Sequence, residues 1–196
     1  MDESPILPQI DLLEVQAKNG QEEWKEYIDR WQNASRKMVL VGVNAPNEVE
    51  KIYLDMLAKD PTVVVLTECT SNIFHPNFFP NIDSIIAPIE KSANKDELFQ
   101  MLRPEIVLTF GGLIVSKKIK AFLRDYSPLM HWHVNPKKAY NTFFCLNKHF
   151  KTSPNELFKN LLTDTSAKEG SYYEYWAKRR DRYRVKRKQY LLEIPF

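Results

Sequence analysis

The sequence is short of cysteine and glycine, with two and five residues respectively among its 196. Cys69 and Cys145 form neither a CxxC pair nor a disulfide framework, so we expect a reducing, cytoplasmic location. Both thiols are predicted to lie in the core. The small number of cysteines excludes the secreted, disulfide-stapled class of domain.

Glycine-rich phosphate loops are also missing. The apolar run Lys37–Val43 leads into a predicted helix, where a dinucleotide fingerprint would stand, yet Gly42 is isolated and no GxGxxG follows. NAD and FAD binding are therefore disfavoured. The sequence also lacks GxSxG, HExxH and Walker motifs, metal-ligand clusters and carboxylate pairs, so it predicts no self-sufficient catalytic residues.

Long apolar runs are absent as well. No window is long enough to span a bilayer, and the stretch MDESPILPQIDLLEV has no basic region before an apolar run, so we expect a soluble protein. The formal net charge is only +3. Residues 171–196 hold eight Lys or Arg against three acids, so the basic character belongs to that segment.

The sequence does contain an alternation of apolar runs and amphipathic stretches. Strands are predicted at Lys37–Val43, Thr62–Leu66, Ile106–Phe110, Met130–Val134 and Thr142–Leu146, with Ser84–Ile86 as a short further candidate. Helices are predicted at Gln21–Gln32, Asn47–Lys59, Asn94–Leu102, Ser153–Leu162 and Gly170–Tyr190. This order predicts an α/β fold, a Rossmann-like, doubly wound, mainly parallel sheet of about six strands. The sheet domain would span 35–165, with a linker and helix over 1–34 and a linker helix over 166–196.

One stretch, PEIVLTFGGLIVSKKIKAFL, combines a buried strand, a two-glycine turn and the start of a helix. Gly111 and Gly112 end the strand, and Ser116 is predicted to cap the helix. In a parallel sheet this turn lies at the carboxyl edge, where the helix N–H groups and Lys117 or Lys118 would suit an anion. The alternative, that the glycines only close a tight turn and both lysines are solvated, stays open.

A second polar loop would line the same crevice. Glu68, Thr70, Ser71 and Asn72 follow the strand predicted at Thr62–Leu66. Ordinary loop hydrogen bonding is the favoured alternative for each of them.

Two histidines share one face of the strand MHWHV. Period two places His131 and His133 together and Trp132 opposite. A zinc site needs further ligands, and none has supporting spacing, so a polar sheet edge is favoured.

The predicted helix Gly170–Tyr190 mixes cations with Trp176, Tyr183 and Tyr190, which are seven residues apart. Basic and aromatic residues together can bind nucleic acid. A helix lying along another protein surface is the favoured interpretation. A free-standing module of this fold that binds a small acid also stays open.

Three segments resemble a known enzyme family. The stretch RPEIVLTFGGLIVSKKIKAFL resembles the middle-domain signature of the 2-succinyl-5-enolpyruvyl-6-hydroxy-3-cyclohexene-1-carboxylate synthase (MenD) family, with Phe-Gly-Gly and the later Ser-Lys as its specific part. LTECTSNIFHPNFFPNIDSII is similar to the family's second middle-domain segment, and KMVLVGV to its opening strand. The resemblance covers 36–123 well and the flanks weakly.

The resemblance implies that the chain is the excised middle domain of a three-domain enzyme. The absent N- and C-terminal domains would hold thiamine diphosphate and Mg²⁺ across a subunit interface of a dimer or tetramer. In agreement with this, the cofactor motif GDG…N is missing from this sequence. The parent would decarboxylate 2-oxoglutarate and add the succinyl unit to isochorismate in menaquinone biosynthesis. The fragment itself is expected to bind no cofactor, metal or nucleic acid, and to be inactive alone.

The same resemblance assigns roles to residues of this chain. Lys117 would reach a substrate carboxylate in the shared active site. The other substrate-binding residues implied are Gly111, Gly112 and Ser116, which would shape the turn, and Ser71 and Asn72, which would face it.

Overall fold

The computed structural model describes residues 20–164, 166 and 168–194, and these contain a five-stranded, fully parallel sheet. The strands are β1 (Lys37–Val41), β2 (Val63–Leu66), β3 (Ile106–Phe110), β4 (Met130–Val134) and β5 (Leu146–Phe150). They stand in the order β2-β1-β3-β4-β5. Every residue of β1, β2 and β3 is buried, as expected for a parallel sheet covered on both faces.

Seven α-helices surround this sheet in the described residues. They are α1 (Gly20–Asn33), α2 (Lys51–Lys59), α3 (Ile82–Glu90), α4 (Lys95–Leu102), α5 (Lys117–Asp125), α6 (Pro154–Leu161) and α7 (Tyr172–Glu193). None of the helices in this part of the chain combines the length and apolar character needed to cross a membrane. Residues 1–19 of the predicted linker and helix over 1–34 lie outside the described residues.

Two hydrophobic cores lie on opposite faces of the sheet. Because strand side chains alternate, Met38 and Leu40 of β1 enter one core, with α3, α4, α5 and α7, while Val39 and Val41 enter the other, with α1, α2 and α6. The fold is therefore the doubly wound, Rossmann-like α/β architecture that the sequence predicts.

The first predicted helix packs on this second core. Trp31 is buried, and its ring lies 6.2 Å from the ring of Trp132 in β4. The apolar spacing in the sequence therefore marked a core-facing helix.

Two strand predictions are wrong. Ser84–Ile86 lies inside α3, where Ile82, Ile85, Ile86 and Ile89 form one buried helical face. Of Thr142–Leu146, only Leu146 belongs to a strand, because Phe144 turns the chain with a φ of 61°. The described sheet has five strands for this reason, rather than about six.

Smaller predictions also need correction. The second helix begins at Lys51 rather than Asn47, whose φ of 60° is not helical. Cys69 is exposed rather than in the core, and Cys145 is partly buried. Burial raises the pKa of the Cys145 thiol above its usual value.

The long helix α7 is divided between buried and exposed parts. Tyr172 and Trp176 are buried in the core with α3, α4 and α5, and the Tyr172 hydroxyl donates to the Leu102 carbonyl at 2.7 Å. From Arg184 to Glu193 every residue is exposed. The first part of the predicted linker helix is thus anchored on this chain's own sheet domain.

Candidate functional site at the carboxyl edge

The candidate site lies where the chain changes direction across the sheet. The chain runs from β1 outward to β2 and then returns to place β3 on the other side of β1. In open α/β sheets, ligands bind outside the carboxyl ends of the strands at such a switch point. The loops after β1 and β3 meet here.

Backbone contacts join these two loops. The Gly42 N–H donates to the Phe110 carbonyl at 2.9 Å, and the Gly112 N–H donates to the Val43 carbonyl at 2.6 Å. A Cβ atom on Gly42 would lie well under 3.0 Å from the Gly112 carbonyl oxygen, and Gly111 has a φ of +80°. The isolated Gly42, which fits no dinucleotide motif, therefore permits close approach of the two loops.

Glu68 occupies the helix start that was predicted to be open to an anion. Its Oε2 accepts the Val115 N–H at 2.8 Å, and its Oε1 accepts the Ser116 N–H at 2.6 Å. Two backbone donors beside the α5 N-terminus are thus satisfied within the chain. These two donors precede the first helical residue, Lys117, so the expectation that the helix N–H groups themselves suit an anion stays a prediction.

Ser116 caps α5 as predicted. Its Oγ accepts the Ile119 N–H at 3.1 Å and also donates to the Asp83 carboxylate. The serine is buried, so these two contacts fix the orientation of the helix start. Sequence reasoning missed Asp83, because the surrounding residues were taken for a strand.

Ser71 and Asn72 hold the neighbouring loop. Ser71 is buried, and its Oγ accepts the Glu68 N–H at 2.9 Å and donates to the Val41 carbonyl at 2.7 Å. The Asn72 Nδ2 donates to the Asn44 carbonyl at 2.7 Å. In this structure both side chains bind the protein's own backbone.

The three lysines at the start of α5 differ in their contacts. Lys118 pairs with Glu90, and the Lys120 Nζ donates to the Ile114 carbonyl at 3.1 Å. Lys117 is exposed and makes no ion pair or side-chain hydrogen bond with the described residues. Exposed Leu113 and Val115 precede it in the turn. Of these three lysines, Lys117 is the one whose ammonium makes no bond within the described residues, whereas Lys118 is already paired with Glu90.

The histidines form a buried polar cluster around Thr109. The Thr109 Oγ1 lies 2.9 Å from His131 Nε2 and 2.8 Å from His133 Nδ1, while Trp132 lies in the opposite core, as predicted. Burial lowers the pKa of both imidazoles to about 4, and the neighbouring histidines add to this effect. Across the described residues no group of three or more His, Cys, Asp or Glu side chains is arranged to hold a metal ion.

Comparison with known proteins supports the resemblance seen in the sequence. No protein-family model matches the chain. Three curated proteins named 2-succinyl-5-enolpyruvyl-6-hydroxy-3-cyclohexene-1-carboxylate synthase match it strongly. The protein from Christiangramia forsetii is 59% identical over 66% of this chain and 22% of its own length. That from Flavobacterium johnsoniae is 46% identical over 87% of the chain and 30% of its own length.

The third relative, from Flavobacterium psychrophilum, is 39% identical over 99% of this chain and 36% of its own length. The chain therefore spans only about a third or less of the curated relatives that it matches. The matches cover 66–99% of this chain and so extend far beyond the turn at Gly111 and Gly112. The chain is therefore a homologue of the 2-succinyl-5-enolpyruvyl-6-hydroxy-3-cyclohexene-1-carboxylate synthase family and corresponds to a segment of its members.

Proposed function

We propose that this chain is the middle domain of a cytoplasmic, homo-oligomeric, thiamine-diphosphate- and Mg²⁺-dependent synthase of menaquinone biosynthesis. The whole enzyme decarboxylates 2-oxoglutarate and adds the succinyl unit to isochorismate. Support comes from the shared name of three relatives that are 39–59% identical and from the 22–36% of their length that the chain matches. The proposed domain spans 35–165, and the segments 1–34 and 166–196 connect it to the rest of the enzyme.

Within the described residues, the candidate site does not fit the cofactor. A diphosphate with Mg²⁺ needs several oxygen ligands and free backbone donors. The described residues contain no metal-binding group, and the two backbone donors beside the α5 N-terminus are bound by Glu68. We therefore assign thiamine diphosphate and Mg²⁺ to other segments of the enzyme, and this domain is inactive alone.

The contribution of this domain is a cation for the substrate. Both 2-oxoglutarate and isochorismate carry two carboxylates, and each needs positive partners in a binding site. Lys117 is the proposed cation, because it is exposed at the switch point and has no acid partner among the described residues. Gly111, Gly112 and Ser116 shape the turn.

Ser71 and Asn72 contribute indirectly in this proposal. Their side chains hold the loop that carries Glu68, and so support the turn without touching the acid.

Steady-state kinetics of the full-length enzyme test the role of Lys117. A charge-assisted contact contributes roughly 1.5–3 kcal/mol, so Lys117→Ala should raise the KM of one substrate about ten- to a hundredfold. Lys95→Ala is the matched control, because Lys95 is also an exposed first residue of a helix and makes no side-chain contact within the described range. Unchanged KM and kcat for both substrates in Lys117→Ala would refute the role.

The nucleic-acid hypothesis loses part of its basis in the structure. Trp176, the first aromatic residue of the proposed stripe, is fully buried in this chain's own core. Stacking with bases requires an exposed ring. The exposed cations from Arg184 onward and the exposed ring of Tyr190 are what remains of this basis in the described helix, so we keep nucleic-acid binding as the less supported alternative.

A further inference from the structure

Lys117 directly follows a series of hydrogen bonds that begins in β1, the strand between β2 and β3. The Val41 carbonyl in β1 accepts from Ser71 Oγ at 2.7 Å, and Ser71 Oγ accepts from the Glu68 N–H at 2.9 Å. The Glu68 carboxylate then binds the N–H groups of Val115 and Ser116 at 2.8 and 2.6 Å. Lys117 is the next residue along the chain.

We propose that Glu68 is a positioning residue for Lys117. Its carboxylate clamps the backbone immediately before the lysine and so aims the lysine side chain at the substrate. This inference rests on the proposed function of Lys117. It adds a second consequence, because the N–H groups of Val115 and Ser116 are already bound and are not available to an acidic substrate.

The charges around the start of α5 support a role for Glu68 in directing an acidic ligand to Lys117 rather than to the helix N-terminus. A helix N-terminus attracts anions, and Glu68 together with Asp83 already places two acidic groups beside that of α5. These two acids therefore weaken the attraction of the α5 N-terminus for an external carboxylate. The lysine side chain can carry its charge several ångströms beyond these acids, since it has a flexible four-carbon stem.

The fold does not depend on Glu68 alone at this turn. Ile114 is buried in the core, and Ser116 is held separately by Asp83 and by its capping bond to Ile119. Leu113 and Val115, in contrast, are 71% and 55% exposed. Removal of the Glu68 clamp should therefore loosen the exposed backbone before Lys117 while the domain stays folded.

The discriminating variant is Glu68→Gln in the full-length enzyme. Glutamine keeps the size of the side chain, but its carbonyl oxygen can accept only one of the two N–H groups from its position, and its amide nitrogen faces the other as a second donor. Loss of one such contact corresponds to a KM increase of about three- to tenfold with kcat retained. Glu97→Gln, at an exposed position on α4 with no side-chain contact in the described structure, should change neither parameter.

A double-mutant cycle separates positioning from general support of the fold. If Glu68 acts through Lys117, Glu68→Gln adds little to the KM of an enzyme that already carries Lys117→Ala. A purely structural role would add the same loss in both backgrounds, and that result would overturn the inference. A Glu68→Gln enzyme with wild-type KM would also overturn it.

The outcome distinguishes this inference from the proposed role of Lys117. An effect of Lys117→Ala without any effect of Glu68→Gln refutes only the positioning role, whereas no effect of Lys117→Ala refutes the proposed role of Lys117 itself. Nuclear magnetic resonance of this chain gives a readout that needs no activity. The amide signals of Val115 and Ser116 should shift in Glu68→Gln while those of the β3 core residues stay in place, and unshifted Val115 and Ser116 signals would contradict the clamp.

Discussion

The contact between the loops after β1 and β3 predicts a steep stability difference among three glycine-to-alanine variants. At Gly42 an added Cβ would lie well under 3.0 Å from the carbonyl oxygen of Gly112 and close to the carbonyl oxygen of Leu113. At Gly111 the Cβ would lie 2.7 Å from the Val43 carbonyl oxygen, and the φ of +80° is itself unfavourable for alanine. At Gly112 the nearest atoms are 3.4 Å away, which is an ordinary contact.

The expected magnitudes follow from these contacts. Overpacking against backbone costs about 1–3 kcal/mol, and a left-handed alanine adds roughly 1–2 kcal/mol. We therefore expect Gly42→Ala to lower the free energy of unfolding by about 1–3 kcal/mol and Gly111→Ala, which carries both costs, by about 2–5 kcal/mol. Gly112→Ala, the matched control, should change it by less than about 1 kcal/mol.

Equilibrium urea unfolding of the chain, followed by tryptophan fluorescence, measures these differences. The buried tryptophans Trp31, Trp132 and Trp176 report on both cores. Gly42→Ala or Gly111→Ala variants as stable as Gly112→Ala would refute the close approach of the two loops. The turn that carries Lys117 would then have a different geometry from the one described above.

Two further predictions concern buried titratable groups. Burial lowers the pKa of His131 from 6.5 to about 4, so the free energy of unfolding falls as the pH falls through this window, by roughly 2–3 kcal/mol at pH 4.5. Urea unfolding of His131→Gln should show a smaller loss of stability in acid. Burial, partly offset by Asp60, lowers the pKa of Lys37 to about 8, below its value in the unfolded chain. Stability should therefore rise by about 1–2 kcal/mol between pH 8 and 9.5, and an equal rise in Lys37→Met would contradict this origin.

The parts of the fold that were predicted from sequence carry strong local signals. Ile106–Phe110 and Met130–Val134 have the bounds of β3 and β4, since a short apolar run between turn residues is distinctive. The helix predicted at Ser153–Leu162 is α6, and Ser153 caps it, because its Oγ accepts the Glu156 N–H.

The missed elements have physical explanations. The edge strand β5 has the sequence LNKHF and only its last residue is fully buried, so it lacks an apolar run. The apolar run TFFCL just before it is a turn in which Phe143 is buried and Phe144 is exposed. Aromatic residues in this loop therefore produced a strand signal at the wrong place.

The candidate site could be predicted only in part, because its contacts are long-range. The sequence placed Gly111, Ser116 and Lys117 at a strand-end turn, and the structure agrees on that location. The occupant of the helix start, Glu68, is 47 residues away from Val115 along the chain. No local pattern reveals that an internal acid, rather than a ligand, fills this position.

The most direct test of the account is the length of the native polypeptide in the source cells, read from an immunoblot with an antibody raised against this chain. The relatives match this chain over 22–36% of their length, so we expect a band for a polypeptide roughly three times as long or more. A single band at the 23.1 kDa of this chain would contradict the claim that it acts as the middle domain of a larger synthase.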